Sequence, residues 1–301
     1  NLRLKMKYLR SALIAVLTLF LITSCGNKKQ EPKSNETFDL QSYIKAAEAV
    51  DPNVNRVDQV FTILDMVRAE YYDVLTNDPY SAHSYKSSYP IAAANLGIYM
   101  TDILYHFYGE ADETMYLTFS AAQELAKHLG IESDFAKWTI EQLEGSTLNR
   151  DTITVLFNNL LMDSKNYTSE KETVFVHTAF LTGSFIEKVY ITGNLLKQKM
   201  QAGELTREDE GDIRELLVIY LNQLNPATGV LYDAFVRQQD QLEGLLVLAT
   251  FQKLEMLSDQ LKLVKPELIV APINDIAANL DLNNTFELVS NLRNLLVSAS
   301  E

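Results

Sequence analysis

Apolar residues recur at helical spacing along most of the chain. Val57, Val60, Phe61, Leu64, Val67, Tyr71 and Leu75 fall three and four apart or side by side, which predicts an amphipathic helix over 53–75 with one buried face. Ile213, Leu216, Leu217, Tyr220 and Leu224 repeat the pattern. Glu208, Asp209, Glu210 and Asp212 gather in that helix's first turns, where the backbone dipole favours negative charge, so the acidic run reads as a helix start and not as a cation site. Further helices are predicted near 39–50, 90–108, 112–129, 133–144, 151–163, 170–198, 231–262 and 284–299. Gly (11) and Pro (7) are few, and no alternating apolar and polar run is long enough to predict a sheet. The expected fold class is all-α, an antiparallel helical bundle or an irregular helix-pair stack with short connections.

Two of these helices carry the candidate chemistry. Residues 173–196 are apolar on almost every side, with only His177, Glu187 and Lys188 able to carry charge. A helix hydrophobic all round is a buried one, here the centre of the bundle, because Glu187 and Lys188 interrupt it too early for a membrane span. Ala179 and Gly183, four apart, allow a neighbouring helix to approach closely. Glu187 shares the face of Val176 and Phe180. It is therefore either a functional carboxyl in a pocket or half of an interhelix salt bridge.

In the helix over 90–108, Asn95, Tyr99, Asp102 and His106 follow one another at spacings of four, three and four and form a single polar stripe. Asp102 and His106 can pair across one turn. Facing a groove, an Asp that orients a His is the beginning of general-base or metal chemistry; facing water, the stripe is the wet edge of a mostly buried helix. Just before it, TNDPYSAHSYKSSY (76–89) is a long loop with three tyrosines and His83. Nine of the 15 tyrosines lie between Tyr71 and Tyr116, which suits packing across helix joints as well as a site.

Other constellations exclude more than they offer. Glu124 and His128 lie with Lys127 on the face opposite Met115, Phe119, Ala122 and Leu129, and read as solvated. The chain has no HExxH, no CxxC pair, no GxSxG elbow and no phosphate-binding glycine loop. No cofactor, metal site or catalytic set is expected. A net charge of −14 repels phosphate backbones, so nucleic acid is not expected as a partner.

Cys25 is the one cysteine. It follows an apolar run from Ala12 to Ile22, which itself follows Lys5, Lys7 and Arg10. A basic segment, an apolar run shorter than the roughly 20 residues of a span and a small-residue junction mark an export signal. Ile22-Thr23-Ser24-Cys25 resembles the lipobox of bacterial lipoprotein signal peptides. The resemblance implies cleavage before Cys25 and a diacylated, N-acylated cysteine of the palmitate-bearing kind, which anchors the chain to a lipid bilayer. Gly26, where an Asp would retain such a protein at the inner membrane, implies the outer membrane, facing either the periplasm or the cell surface. The expected organisation is a signal peptide over 1–24, the lipidated cysteine with a flexible tether over 25–37, and a single all-α domain over 38–301. Loss of Arg3, Lys5, Lys7 and Arg10 with the signal moves the charge from −14 to −18. The twelve residues from Gly26 to Thr37 span about 20 Å on average and roughly 40 Å at full stretch, so the folded body stays near the bilayer.

YPIAAANLGIYMTDILYHFYG, SAAQELAKHLGI and SFIEKVYITGNLL are similar to phrases of uncharacterised helical lipoproteins of Bacteroidota. That resemblance names no activity. Asn95-Leu96-Gly97 suggests a tetratricopeptide, but no 34-residue period recurs, so at most a degenerate helix-pair stack is implied. Two functions are open at this point. The chain is expected to bind or scaffold an envelope protein partner or a small ligand without catalysis; alternatively, a metal-binding protein or hydrolase is built on Asp102 and His106 with His83 or Glu187.

Overall fold

A computed structural model describes residues 57–66, 68–87, 89–131, 149–167, 174–202, 252–253, 255–256 and 282–298. These are α1 (Val57–Met66), α2 (Tyr89–Tyr108), α3 (Asp112–Leu129), α4 (Arg150–Tyr167), α5 (Val174–Gln201) and α6 (Leu282–Val297), with 3-10 turns at Asp73–Leu75 and Pro79–Ser87. There is no strand among the described residues, and the helices pack against one another as an all-α stack. All described residues belong to one compact unit, Leu40–Glu301. The expectations for the signal and tether over 1–37 with Cys25, and for helices at 39–50, 133–144 and 208–224, lie outside the described residues. Of 231–262, only four helical residues, 252, 253, 255 and 256, are described.

α2 and α5 form the centre. Every residue of α2 from Ile91 to His106 is buried, as is α5 from Val176 to Val189. The two helices meet backbone to backbone. A Cβ at Gly97 would overlap the Phe180 carbonyl oxygen, and one at Gly183 would overlap the Ala94 carbonyl oxygen, so only glycine fits at either position. Thr101 Oγ1 lies 3.0 Å from Ser184 Oγ at the same seam. Around this pair, α3 lies on α2, α4 on α5, and α6 on both.

α3 begins and ends where its pattern predicts. Met115, Phe119, Ala122, Leu125 and Leu129 are buried. Asp112 and Glu113 sit in its first turn, and Lys127 and His128 in its last. Gly130 adopts the left-handed conformation (φ 75°), and the Ile131 N–H closes on the Ala126 carbonyl, which ends the helix.

α1 departs from its prediction. It stops at Met66 and does not run to 75. Arg68 takes a left-handed conformation (φ 45°), its N–H donates to the Asp65 carbonyl, and the Ala69 N–H donates to the Leu64 carbonyl. This is the same helix-ending motif as at Gly130, built on a residue that gives no sequence signal for it. Beyond it, residues 69–87 form an irregular strap across α2. The predicted long loop is therefore largely ordered, with a nine-residue 3-10 turn.

Candidate functional site

An irregular segment laid on a helix carries backbone N–H and C=O groups that a helix would have paired internally, and burying them unpaired is costly. The polar stripe of α2, with Tyr105 beside it, supplies the partners. The Tyr72 N–H donates to Tyr105 Oη (2.9 Å), and the Asn77 N–H donates to Asp102 Oδ2 (3.0 Å). Tyr99 Oη donates to the Asp78 carbonyl (2.8 Å). Asn77 is the hub of the strap. Its Nδ2 donates to Asn95 Oδ1 (3.3 Å), while its Oδ1 lies 3.2 Å from Tyr85 Oη. The stripe thus faces neither open water nor an open groove. Asn95, Tyr99, Asp102 and His106 are all fully buried beneath the strap.

The strap side also holds α6. The last carbonyls of a helix have no partners within it. Here Asn95 Nδ2 donates to the Leu296 carbonyl (2.9 Å), and Tyr85 Oη donates to that of Val297 (3.0 Å). One turn earlier, Arg293 places Nε on Glu187 Oε2 (2.8 Å) and Nη2 on Glu187 Oε1 (2.9 Å), with its guanidinium 4.4 Å from the centre of the Tyr190 ring. Arg293 is 7 % exposed and Glu187 not at all, so this is a buried interhelix ion pair, one of the two outcomes its apolar face allowed.

Asp102 lies beside that pair. Burial above all, then the neighbouring Glu187 charge, raise its pKa well above the ordinary carboxyl range, against the opposing pull of Arg293 and the Asn77 N–H. Its Oδ1 has no donor. Tyr99, from the same stripe, has its phenol pushed upward, chiefly by burial.

His106 belongs to a separate cluster. The pairing of Asp102 with His106 expected from their spacing is not made: Asp102 faces Asn77 and Glu187, while His106 Nδ1 lies 2.8 Å from Tyr71 Oη and Nε2 lies 3.1 Å from Thr118 Oγ1. Tyr71 also donates to Asp73 Oδ1 (2.8 Å). Burial lowers the His106 pKa to about 4, with Asp73 acting weakly the other way. The ring is therefore neutral near pH 7, wedged between a phenol and a threonine.

His83 joins neither cluster. Its side chain is 89 % exposed and lies 3.9 Å from Glu124 on α3, which in turn pairs with Lys86. His128, read as solvated, stacks instead on Tyr89 with ring centres 5.2 Å apart, and its Nε2 is buried. Among the described residues no three His, Cys, Asp or Glu side chains could hold a metal ion.

The residues that sequence reasoning passed over are Tyr71, Asn77, Tyr85, Thr118 and Arg293. Only Arg293 had a readable signal: it lies four residues from Val289 and three from Leu296 on the apolar side of α6, a charge on a buried face just as Glu187 is on α5. Compared with protein-family models, with curated proteins and with solved structures, the chain shows no significant match.

Proposed function

We propose that this chain is a lipoprotein of the bacterial envelope, held on the outer membrane through an acylated Cys25, and that its helical body binds or scaffolds another envelope component without catalysis of its own. The anchoring half rests on the lipobox-like Ile22-Thr23-Ser24-Cys25 and the basic and apolar residues before it. One observation carries the other half. Each member of the stripe that could have served catalysis is engaged internally, Asn95 and Tyr99 by α6 and the strap, Asp102 by Asn77, His106 by Tyr71 and Thr118. The alternative, a hydrolase or metal-binding protein using an Asp102–His106 pair, loses the pairing on which it was based.

The surface for such binding is best sought around the strap. Val74 (81 % exposed), Tyr80 (78 %) and Tyr89 (49 %) present large apolar side chains there, and aromatic residues are the type enriched at protein interfaces. Intact-mass measurement of membrane-extracted protein, followed by co-purification in mild detergent, tests the whole reading. It requires a mass matching a triacylated chain that starts at Cys25, and a partner in fixed ratio that is lost when Val74 and Tyr80 are changed to Ser. An unmodified Cys25, or stoichiometric zinc or iron that disappears on His106→Ala, would refute it.

A further inference from the structure

We propose that Asp102 is held protonated beside the Glu187–Arg293 pair and that this proton fastens α6 to the bundle, which makes the docking of α6 a pH-sensitive latch. The argument begins from a mismatch of charge and of donors. A buried carboxyl, Asp102, lies beside a carboxylate–guanidinium pair in a seam closed to water. Arg293 spends Nε and Nη2 on the two oxygens of Glu187, which pairs that carboxylate fully. Asp102 receives only the Asn77 N–H, on Oδ2, and its Oδ1 has no donor. An ionised Asp102 would put a second negative charge beside Glu187 where solvent cannot screen it. A proton on Oδ1 removes both faults, since the acid then donates to Glu187 and the cluster is left with one anion and one cation.

The surroundings supply the groups that respond. From α2, Tyr99 and His106 lie three before and four after Asp102; the strap brings Asn77, Asp78 and Tyr85; α5 brings Glu187, with buried Lys188 next along and engaged in contacts of its own; α6 brings Arg293. His106 is neutral above pH 5 and burial pushes the phenols upward, so the Asp102 carboxyl, raised by burial and by the Glu187 charge, is the group in this seam whose proton answers to pH. The burial and charge effects that hold its proton in the closed form vanish once α6 leaves and water enters. Docking therefore takes up a proton. Asn77 links that proton to the rest of the fastening, because it touches Asp102, Asn95 and Tyr85 at once, and the last two grip the end of α6.

The sign follows from linkage. A carboxyl held protonated in the docked form favours docking most at low pH, and the preference falls by up to about tenfold per pH unit from about pH 4 until its docked pKa is passed. Amide hydrogen exchange on the full chain between pH 5 and 9, expressed as protection factors, reads this directly. Protection of α6 amides is expected to fall as pH rises while that of α3 holds, and in Asp102→Asn, whose amide donates to Glu187 without titrating, the α6 fall should be abolished. Protection of α6 that ignores pH, an equal fall in α3, or an Asp102→Asn variant that tracks the parent would overturn the latch. Should that variant fail to fold, infrared spectra of the parent labelled with carbon-13 aspartate decide the matter: a protonated carboxyl band at pH 7 that shifts with the label is expected, and its absence overturns the proposal.

Discussion

Burial of His106 should cost this protein stability on acidification, and a comparison of variants can assign that cost to the one residue. His106 is fully buried and neutral, with a pKa lowered to about 4, against roughly 6.5 in an unfolded chain. The unfolded state therefore binds more protons between these values, and stability is lost as pH falls from about 6.5 towards 4. A gap of about 2.5 units corresponds to about 3 kcal/mol in full, and roughly 2.5 kcal/mol of it should be lost between pH 7 and pH 4.5. This is a sizeable part of the roughly 5–15 kcal/mol that holds a typical domain folded. The isolating variant is His106→Gln, whose amide reaches towards Thr118 but does not titrate. Urea midpoints of both proteins at pH 7.0 and 4.5 give a difference of differences in which His83, His128 and His177 cancel. The parent should lose about 2.5 kcal/mol more than the variant on acidification. Equal losses in the two proteins would refute the assignment, because the ring would then gain a proton without penalty.

Three further substitutions test the packing. Gly97→Ala forces a methyl group into the Phe180 carbonyl, with backbone on both sides and no side chain to yield; thermal denaturation should show a loss of about 3 kcal/mol, and a neutral effect would mean α2 and α5 can separate cheaply. Glu110 is left-handed (φ 53°) between α2 and α3, where glycine carries no steric penalty, so Glu110→Gly should raise stability by about 1 kcal/mol in urea titration. Removing one side of the buried ion pair, by Arg293→Met or Glu187→Gln, should cost about 3–5 kcal/mol, and the double substitution should recover much of that. A double-mutant cycle that is simply additive would contradict the close contact.

The helices with strong or unbroken apolar character were legible from sequence: α3 falls on 112–129, α2 within one residue of 90–108, and α5 and α6 within four residues of their expected ends. What escaped was the strap. Tyr71 and Leu75 continue the helical spacing of α1 because they too turn inward, Tyr71 onto Tyr105 and His106 of α2 and Leu75 into the core, from a segment whose helix has already been ended at Arg68. The stripe of α2 was legible as a stripe, since Asn95, Tyr99, Asp102 and His106 do share one face. Its purpose was not legible. Periodicity reports which residues lie together on one element, whereas Asn77 and Tyr71 reach the stripe from a different one, and the i, i+4 pairing of Asp102 with His106 gives way to partners 25 and 35 residues distant.

Direct contact between the main chains of α2 and α5 has a mechanical corollary. Side chains between two helices ordinarily act as a compliant layer that lets one rod slip or roll against the other by changing rotamers. At Gly97 and Gly183 that layer is missing, and each carbonyl sits where the opposing helix leaves no slack. The two behave as one rigid spar. Any shape change must be carried by what is strapped or hung on that spar, and sensors of motion, such as paired fluorophores, belong on those outer parts.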